Sequence, residues 1–328
     1  MKAQVSILMA VYNAEQTLRR ALDSLLAQTL TQWQAVCIDD CSTDQSLAIL
    51  QDYARRDTRF RVLHLNHNQG LAHARNEGFR LAEGSLVTFL DSDDWLSPDA
   101  LERAVGTFSA HPQTDCVLFR FMICSDEGQH CFPMTDFEVL PGRQAFELSL
   151  DNWIIHGIYV ARRELYERYL YDETCRVYSD ELTTHLHYYI SREVRQCPGT
   201  YYYWQNPQSV THKPTVRRFD LLRAKERMRE YLLELGARQE VICHYETLRW
   251  LTLVDAYMFY HVHGRQLSKA DRQQGLAIMR HAWQTIDRKA ADKRVLRKFG
   301  YRPMASWTLF RLQEWLYFSL RGVLGKNQ

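Results

Sequence analysis

The chain has 328 residues and a mass of 38.8 kDa, enough for one large domain or two smaller ones. Its residues are 46% hydrophobic and 24% charged, with 14 Gly, 8 Pro and 8 Cys; this excludes a mostly disordered chain, a collagen-like or Pro-rich architecture and a disulfide scaffold. The net charge of +2 hides a split, because residues 1–212 carry 18 Lys+Arg against 28 Asp+Glu whereas residues 213–328 carry 23 against 11. An acidic front and a basic back point to two parts with different partners.

In chain order, residues 5–11 form a near-continuous apolar run, as expected for a strand buried on both faces. Asn13 is placed to cap the helix in which Leu18, Ala21, Leu22, Leu25 and Leu26 recur at helical spacing. Residues 33–38 predict a second strand, and the polar loop Asp39-Asp40-Cys41-Ser42-Thr43-Asp44 opens a helix near Gln45. Asp39 reads as a turn residue and Asp44 as a turn or cap residue. Strands over 60–65, 86–90 and 116–123 alternate with helices over 70–82 and 101–108, the latter preceded by Pro98. In residues 126–212, strand-like pieces at 155–160 and 194–203 flank helical ones at 161–168 and 180–190, and Tyr201 to Trp204 read as core. Beyond Arg217 the patterns predict helices over 219–235, 239–261, 269–288 and 304–323.

Strand–helix alternation with short connections predicts an α/β fold built on a doubly wound, mostly parallel sheet with a helical C-terminal extension. Ligands of such sheets bind beyond the carboxyl ends of the strands. The polar clusters Tyr12-Asn13, Asp39-Asp40 and Asp91 to Asp94 fall at three such ends, so these acidic groups should converge on one crevice. No G-x-G-x-x-G follows the first strand, and no G-x-x-x-x-G-K-[ST] occurs, so a glycine-rich phosphate cradle is not expected. The cysteines form no C-x-x-C pair that would announce a zinc site. Carboxylates crowded into Asp91-Ser92-Asp93-Asp94 would repel one another unless a hard divalent cation or an ordered loop relieves them; Asp94 or Ser97 as a helix cap is the simpler alternative.

Four segments carry a resemblance: Val5-Ser6-Ile7-Leu8-Met9-Ala10-Val11-Tyr12-Asn13, Ile38-Asp39-Asp40-Cys41-Ser42-Thr43-Asp44, Asn68-Gln69-Gly70-Leu71-Ala72-His73-Ala74-Arg75-Asn76 and Phe89-Leu90-Asp91-Ser92-Asp93-Asp94-Trp95. In this order, each at a strand end, they resemble glycosyltransferase family 2, closely over residues 1–125 and loosely over 126–212. The resemblance implies a GT-A fold and inverting transfer from a nucleotide sugar, usually UDP-linked, with Mg²⁺ or Mn²⁺. It matches Ala10, Val11 and Tyr12 to the base and ribose pocket, Asp40 to nucleobase recognition and Arg75 to the nucleotide side. Asp91-Ser92-Asp93 matches the D-x-D motif, with Asp91 towards ribose and metal and Asp93 the direct ligand. The family's base lies in an acidic pair opening a later helix; here Ser179 replaces the usual Glu, which leaves Asp180 as the base and Glu181 as its rival. Ala10 and Cys41 stand where Pro and Gly are common. Tyr201 to Trp204 and Ser209 to His212 resemble the segment after that helix, with His212 a further candidate near the metal.

The chemistry agrees with that reading. A sugar hydroxyl attacks well only if a positioned carboxylate takes its proton, and a departing nucleoside diphosphate needs its charge stabilised. The acceptor expected is a glycan or lipid-linked sugar in surface polysaccharide or glycolipid synthesis. The other readings are a non-catalytic nucleotide-sugar or glycan-binding protein on the same fold, and a nucleotidyltransferase, which lacks the expected Gly-rich first loop. Trp95 is a candidate for stacking on an acceptor sugar, with simple packing as the alternative. Alternatives for Arg75 are a surface position or a pair with Asp40.

The resulting domain expectation is 1–212 as the glycosyltransferase domain and 213–328 as a helical region. Residues 303–328, rich in Trp, Leu and Phe with Arg302, Arg311, Arg321 and Lys326, suit three uses: peripheral membrane contact, packing on the rest of the chain, or a homo-oligomer contact. No recognised motif supports nucleic-acid binding. Met1-Lys2-Ala3-Gln4 leads directly into a strand with no cleavage-site pattern, and no apolar stretch is long enough to span a bilayer, so the expected place is the cytoplasm or the inner face of the membrane.

Overall fold

The computed structural model describes residues 3–150, 153–175, 177–205 and 214–325. The chain divides into two compact units, one of residues 1–173 with 183–209 and one of residues 174–182 with 210–328. His212 lies outside the described residues.

The first unit begins with β1 (Val5–Val11), α1 (Leu18–Leu26), β2 (Trp33–Asp39), α2 (Ser46–Arg56), β3 (Phe60–His64), α3 (Leu71–Leu81), β4 (Leu86–Phe89), β5 (Trp95–Leu96) and α4 (Ala100–Ala110). Then follow β6 (Thr114–Ser125), β7 (Gly128–Cys131), β8 (Val139–Pro141), α5 (Gly142–Leu150), β9 (Tyr159–Arg162), α6 (Arg163–Arg168), α7 (Ser179–Ile190), whose first residues belong to the second unit, and β10 (Glu193–Trp204). The sheet order is β3-β2-β1-β4-β9-β6-β10-β5, with β7 on β6 and β8 on β10. The block β3-β2-β1-β4 is wholly parallel. β9 is antiparallel to both β4 and β6, while β6 and β10 run parallel to each other, which makes the sheet mixed. The chain builds β1, β2 and β3 outward on one side and then places β4 on the other side of β1, so the strand order reverses at β1, where such sheets hold ligands.

Local sequence explains most of this. Every residue of β2 is buried, as is all of β1 except Ala10, in keeping with their apolar runs. Leu18, Ala21, Leu22 and Leu25 of α1 are fully buried in the same core as Val5, Ile7 and Met9. Gly78 lets α3 lie close on the sheet: a Cβ there would stand 2.4 Å from Ile38 Cδ1. Asn13 does not cap α1, which starts five residues later. It takes a left-handed backbone (φ 52°), and its Oδ1 accepts the Thr43 N–H at 2.8 Å, joining the first two strand ends instead. The strand-like piece expected at 155–160 is realised as β9, shifted because Leu86, Val87 and Thr88 pair with Arg162, Ala161 and Val160.

The second unit holds a short 3₁₀ turn (Val216–Phe219), then α8 (Asp220–Glu234), α9 (Gln239–His263), α10 (Lys269–Thr285), α11 (Lys293–Leu296) and α12 (Trp307–Val323). Trp250, Leu253, Val254, Met279, Phe310 and Phe318 are among its core. α12 begins at 307 rather than 304 because Ser306 Oγ accepts the Leu309 N–H. Buried Glu246 accepts from Arg249 Nη1 (3.0 Å), Arg229 Nε (3.0 Å) and the Asp287 N–H (3.1 Å), so its charge is compensated. Glu314 on α12 is not: its Oε1 accepts from Gln313, its Oε2 has no hydrogen-bond partner, and burial pushes its carboxyl up to about 8. A carboxyl whose proton is held more tightly in the folded chain than in the unfolded one loses stability as pH rises from about 4.5 to about 8. Glu314→Gln should therefore raise the melting temperature at and above neutral pH and flatten that decline, as scanning calorimetry across this range would register.

Candidate active site

The parallel register brings the ends of β1, β2 and β4 side by side. Val11 pairs with Asp39, the Asp40 N–H donates to the Val11 carbonyl at 2.8 Å, and the Leu90 N–H to the Leu8 carbonyl at 3.1 Å. Ala10 and Val11 thus end β1 directly beside Asp39 and Asp40, and Tyr12 follows as a 51% exposed side chain. Asp40 is buried. Its Oδ1 accepts the Gln69 N–H and its Oδ2 the Gly70 N–H, both at 2.8 Å, while Asn68 Nδ2 donates to its carbonyl at 3.2 Å. These two N–H groups belong to the turn just before α3, where the positive end of the helix dipole also favours a carboxylate, and Gly70 supplies the left-handed backbone (φ 92°) this turn needs. Asp39 is more than a turn residue: fully buried, it accepts the Ser42 N–H (3.2 Å) and pairs with His64 Nδ1 (2.7 Å). Asp44 has the expected local role, accepting from the N–H groups of Ser46 and Glu15.

Arg75, on α3, is buried, and its Nη2 donates to Asp91 Oδ1 at 2.5 Å. The pairing partner is Asp91, not Asp40. The guanidinium also lies over the Phe89 ring, 4.2 Å from its centroid. Asp91, Ser92 and Asp93 remain partly exposed, whereas Asp94 is buried and caps no helix. Tyr201 of β10 donates its hydroxyl to Asp94 Oδ2 at 2.7 Å and accepts the Asp91 N–H at 3.3 Å, and the Trp204 N–H donates to Asp94 Oδ1 at 2.8 Å. The turn is thus tied at both ends to one strand. Burial, then the charges of Asp91 and Asp93, push the Asp94 carboxyl well above the usual carboxylate range. Burial, then the carboxyls of Asp94, Asp93 and Asp91, raise the Tyr203 phenol.

Three residues of this site carried no sequence signal for it. Arg20 sits in a helix where an Arg reads as a solvated face, yet its Nη2 donates to the Asp93 carbonyl at 2.7 Å and its guanidinium lies over Trp95 (3.9 Å) and Trp204 (5.1 Å). Tyr201 and Trp204 read as core from their alternation; Tyr201 is core, and its hydroxyl is what organises the turn. Trp95 packs within the protein, stacked on Tyr202 at 5.2 Å and 7° and covered by Arg20.

Asp180 and Glu181 open α7 and are described with the second unit. Asp180 is exposed, and its Oδ1 accepts the Glu181 N–H at 2.9 Å. Glu181 Oε1 holds buried Lys225 Nζ at 2.7 Å. Among the described residues no three His, Cys, Asp or Glu side chains are grouped to hold a metal ion.

With this geometry in place, comparison with known proteins is specific. The family description "Glycosyl transferase family 2" matches residues 6–183. An uncharacterized glycosyltransferase, EpsJ of Bacillus subtilis, is 32% identical over 221 residues, 64% of this chain and 63% of that protein. A poly(ribitol-phosphate) beta-glucosyltransferase of Bacillus spizizenii is 37% identical over 118 residues, 35% of this chain and 18% of that protein. The chain thus spans less than two thirds of either relative. The crystal structure of S. aureus TarS 1–349 in complex with UDP-GlcNAc superposes with a TM-score of 0.74 over 99% of this chain and 93% of that one at 18% identity, so the two share the GT-A fold.

Tyr201→Phe should cost about 1–3 kcal/mol of stability, because it leaves a carboxylate oxygen of Asp94 buried without a donor. Loss of the donor disfavours the ionised form of this already raised carboxyl still further, so the gap between variant and wild type should stay flat while both keep the proton and widen once pH rises past the raised wild-type value. Denaturant titrations at several pH values measure it.

Proposed function

Because the chain belongs to glycosyl transferase family 2, we propose that it moves a sugar, with inversion, from a UDP-linked nucleotide sugar to a hydroxyl of a glycan or lipid-linked acceptor in surface polysaccharide or glycolipid synthesis. One observation carries this reading: the ends of β1, β2 and β4 line up at the strand-order reversal, with an acidic turn there held in place by Arg75, Tyr201 and Trp204. Names of relatives support the polymer context, one being a poly(ribitol-phosphate) beta-glucosyltransferase and TarS having been crystallised with UDP-GlcNAc. In this reading residues 1–212 form the catalytic domain, 1–125 its nucleotide-sugar half and 126–212 its acceptor side, and 213–328 a helical region.

Ala10, Val11 and Tyr12 line the base and ribose, and Asp40 holds the 68–70 turn against them. Arg75 positions Asp91, and Ser92 contributes to the nucleotide side. The donor set fits Mn²⁺ or Mg²⁺: Asp91 and Asp93 offer hard oxygens, their field adds to burial in raising Asp94, and an ion shared with a diphosphate needs only one or two protein carboxylates. When bound, such an ion stabilises the charge on the departing diphosphate. Asp180 takes the proton from the acceptor hydroxyl. Glu181 is engaged with Lys225, which favours Asp180 over it as the base.

Thermal-shift screening of nucleotide sugars should find a UDP sugar that stabilises the protein more with Mn²⁺ than without it, an increment that Asp93→Ala removes. Asp180→Ala should leave donor binding intact and lower transfer about 10²–10⁴-fold. Equal transfer by wild type and both variants would defeat the assignment.

The helical region also suggests where the enzyme works. Among the described residues no helix is long and apolar enough to cross a membrane. α12 nevertheless turns Leu309, Leu312, Trp315, Leu316, Leu320 and Val323 outward, with Trp315 52% and Val323 88% exposed, and no charged residue on it is fully exposed. Set in a region of net positive charge, this face suits peripheral contact with an anionic membrane. Vesicles containing phosphatidylglycerol should carry the protein upward in flotation, and Leu312→Gln with Trp315→Gln should leave it at the bottom while its melting temperature stays unchanged.

A further inference from the structure

The acidic pair that opens α7 lies on a segment, residues 174–182, that belongs to the helical unit. Asp180 is exposed there, in the first turn of its helix, where helix ends fray. Its direction therefore depends on how the chain around it is held. That direction matters chemically, because a proton acceptor works only within hydrogen-bond reach of the hydroxyl it serves.

The chain is held on both sides of Asp180. On one side, Glu181 Oε1 accepts from Lys225 Nζ of α8 at 2.7 Å, and the buried Tyr245 ring of α9 stands 5.8 Å from the same ammonium. Lys225 is only 8% exposed. A buried ion pair adds little net stability over apolar side chains of the same volume, because both charges lose their water. What such a pair fixes is position, since moving either charge leaves the other buried and unpaired.

On the other side, Tyr178 takes a left-handed backbone (φ 72°), which a bulky residue adopts only at a cost. Its hydroxyl accepts from Arg218 Nη1 at 2.5 Å, and the guanidinium lies 5.9 Å from its ring. Its carbonyl accepts the N–H of buried Leu182 at 3.2 Å. Backbone strain that neighbouring contacts keep in place is characteristic of functional segments.

We propose that Lys225 and Arg218 are positioning residues for the reaction: through Glu181 and Tyr178 they set the direction of the Asp180 carboxylate. This rests on the reading of Asp180 as the base of a glycosyl transfer. The helical unit then takes part in catalysis by holding the base, through two cations that lie 44 and 40 residues beyond their partners.

Lys225→Met and Arg218→Met test this with two readouts. Hydrogen exchange followed by mass spectrometry should show the amides of residues 177–182 exchanging faster in each variant, with those of β1, β2 and β4 unchanged. Transfer should fall roughly tenfold to a hundredfold in kcat while KM for the donor stays at the wild-type value. In an Asp180→Ala background neither substitution should lower transfer further, because groups acting through one base are not additive with its loss. Arg218 is exposed, so its variant should keep the wild-type melting temperature even if Lys225→Met does not. Wild-type exchange at 177–182, wild-type kcat in both variants, or a further loss in the Asp180→Ala background would each overturn the proposal. Wild-type transfer by Asp180→Ala would refute the base assignment and with it the catalytic use of this anchoring. Exchange at 177–182, measured without any reaction, separates that outcome from a failure of the anchoring itself.

Discussion

The site depends on keeping three carboxylates, Asp91, Asp93 and Asp94, within four residues of one turn. Such a turn is electrostatically unfavourable by itself, and the fold offsets the repulsion from three directions. Arg75 comes from α3 to Asp91, Arg20 from α1 to the Asp93 carbonyl, and Tyr201 with Trp204 from β10 to Asp94. The outcome is a division of labour among chemically identical side chains. Asp94, buried and hydrogen-bonded, serves as the anchor, while Asp91 and Asp93 stay accessible with their charge only partly balanced.

This arrangement gives β10 more influence than its place in the sheet suggests. One stretch of that strand supplies the phenol and the backbone N–H that hold the turn, and the ring beneath Trp95. A displacement of β10 would therefore be felt at the acidic turn. On the opposite flank, Asp40 performs the matching task by fastening the end of β2 to the turn that leads into α3, the helix that presents Arg75. Candidate site and scaffold share these residues, so substitutions there are expected to move stability together with any activity of the site.

Buried charge is handled in a similar way in the helical unit. Glu246 is enclosed by two arginines and a backbone N–H, which compensate its charge. Glu314 has a single amide donor and responds by holding its proton. Both side chains are buried, and they differ in the number of donors that meet the carboxyl.

Much of the architecture was legible from local pattern, since strands buried on both faces need continuous apolar runs and amphipathic helices need apolar residues at helical spacing. Hence β1, β2, the helices that follow them and the long helices beyond Asp220 were each readable, as was the arrival of Tyr12, Asp40 and Asp91 at strand ends. Their convergence followed from parallel topology alone. What local pattern could not carry was the choice of partner. Arg75 with Asp91 instead of Asp40, Arg20 over Trp95 and Tyr201 beneath Asp94 join residues 16 to more than 100 positions apart. Periodicity records only which face of an element is buried, whereas side-chain partners depend on where separate elements meet, so those pairings emerged only with the tertiary structure.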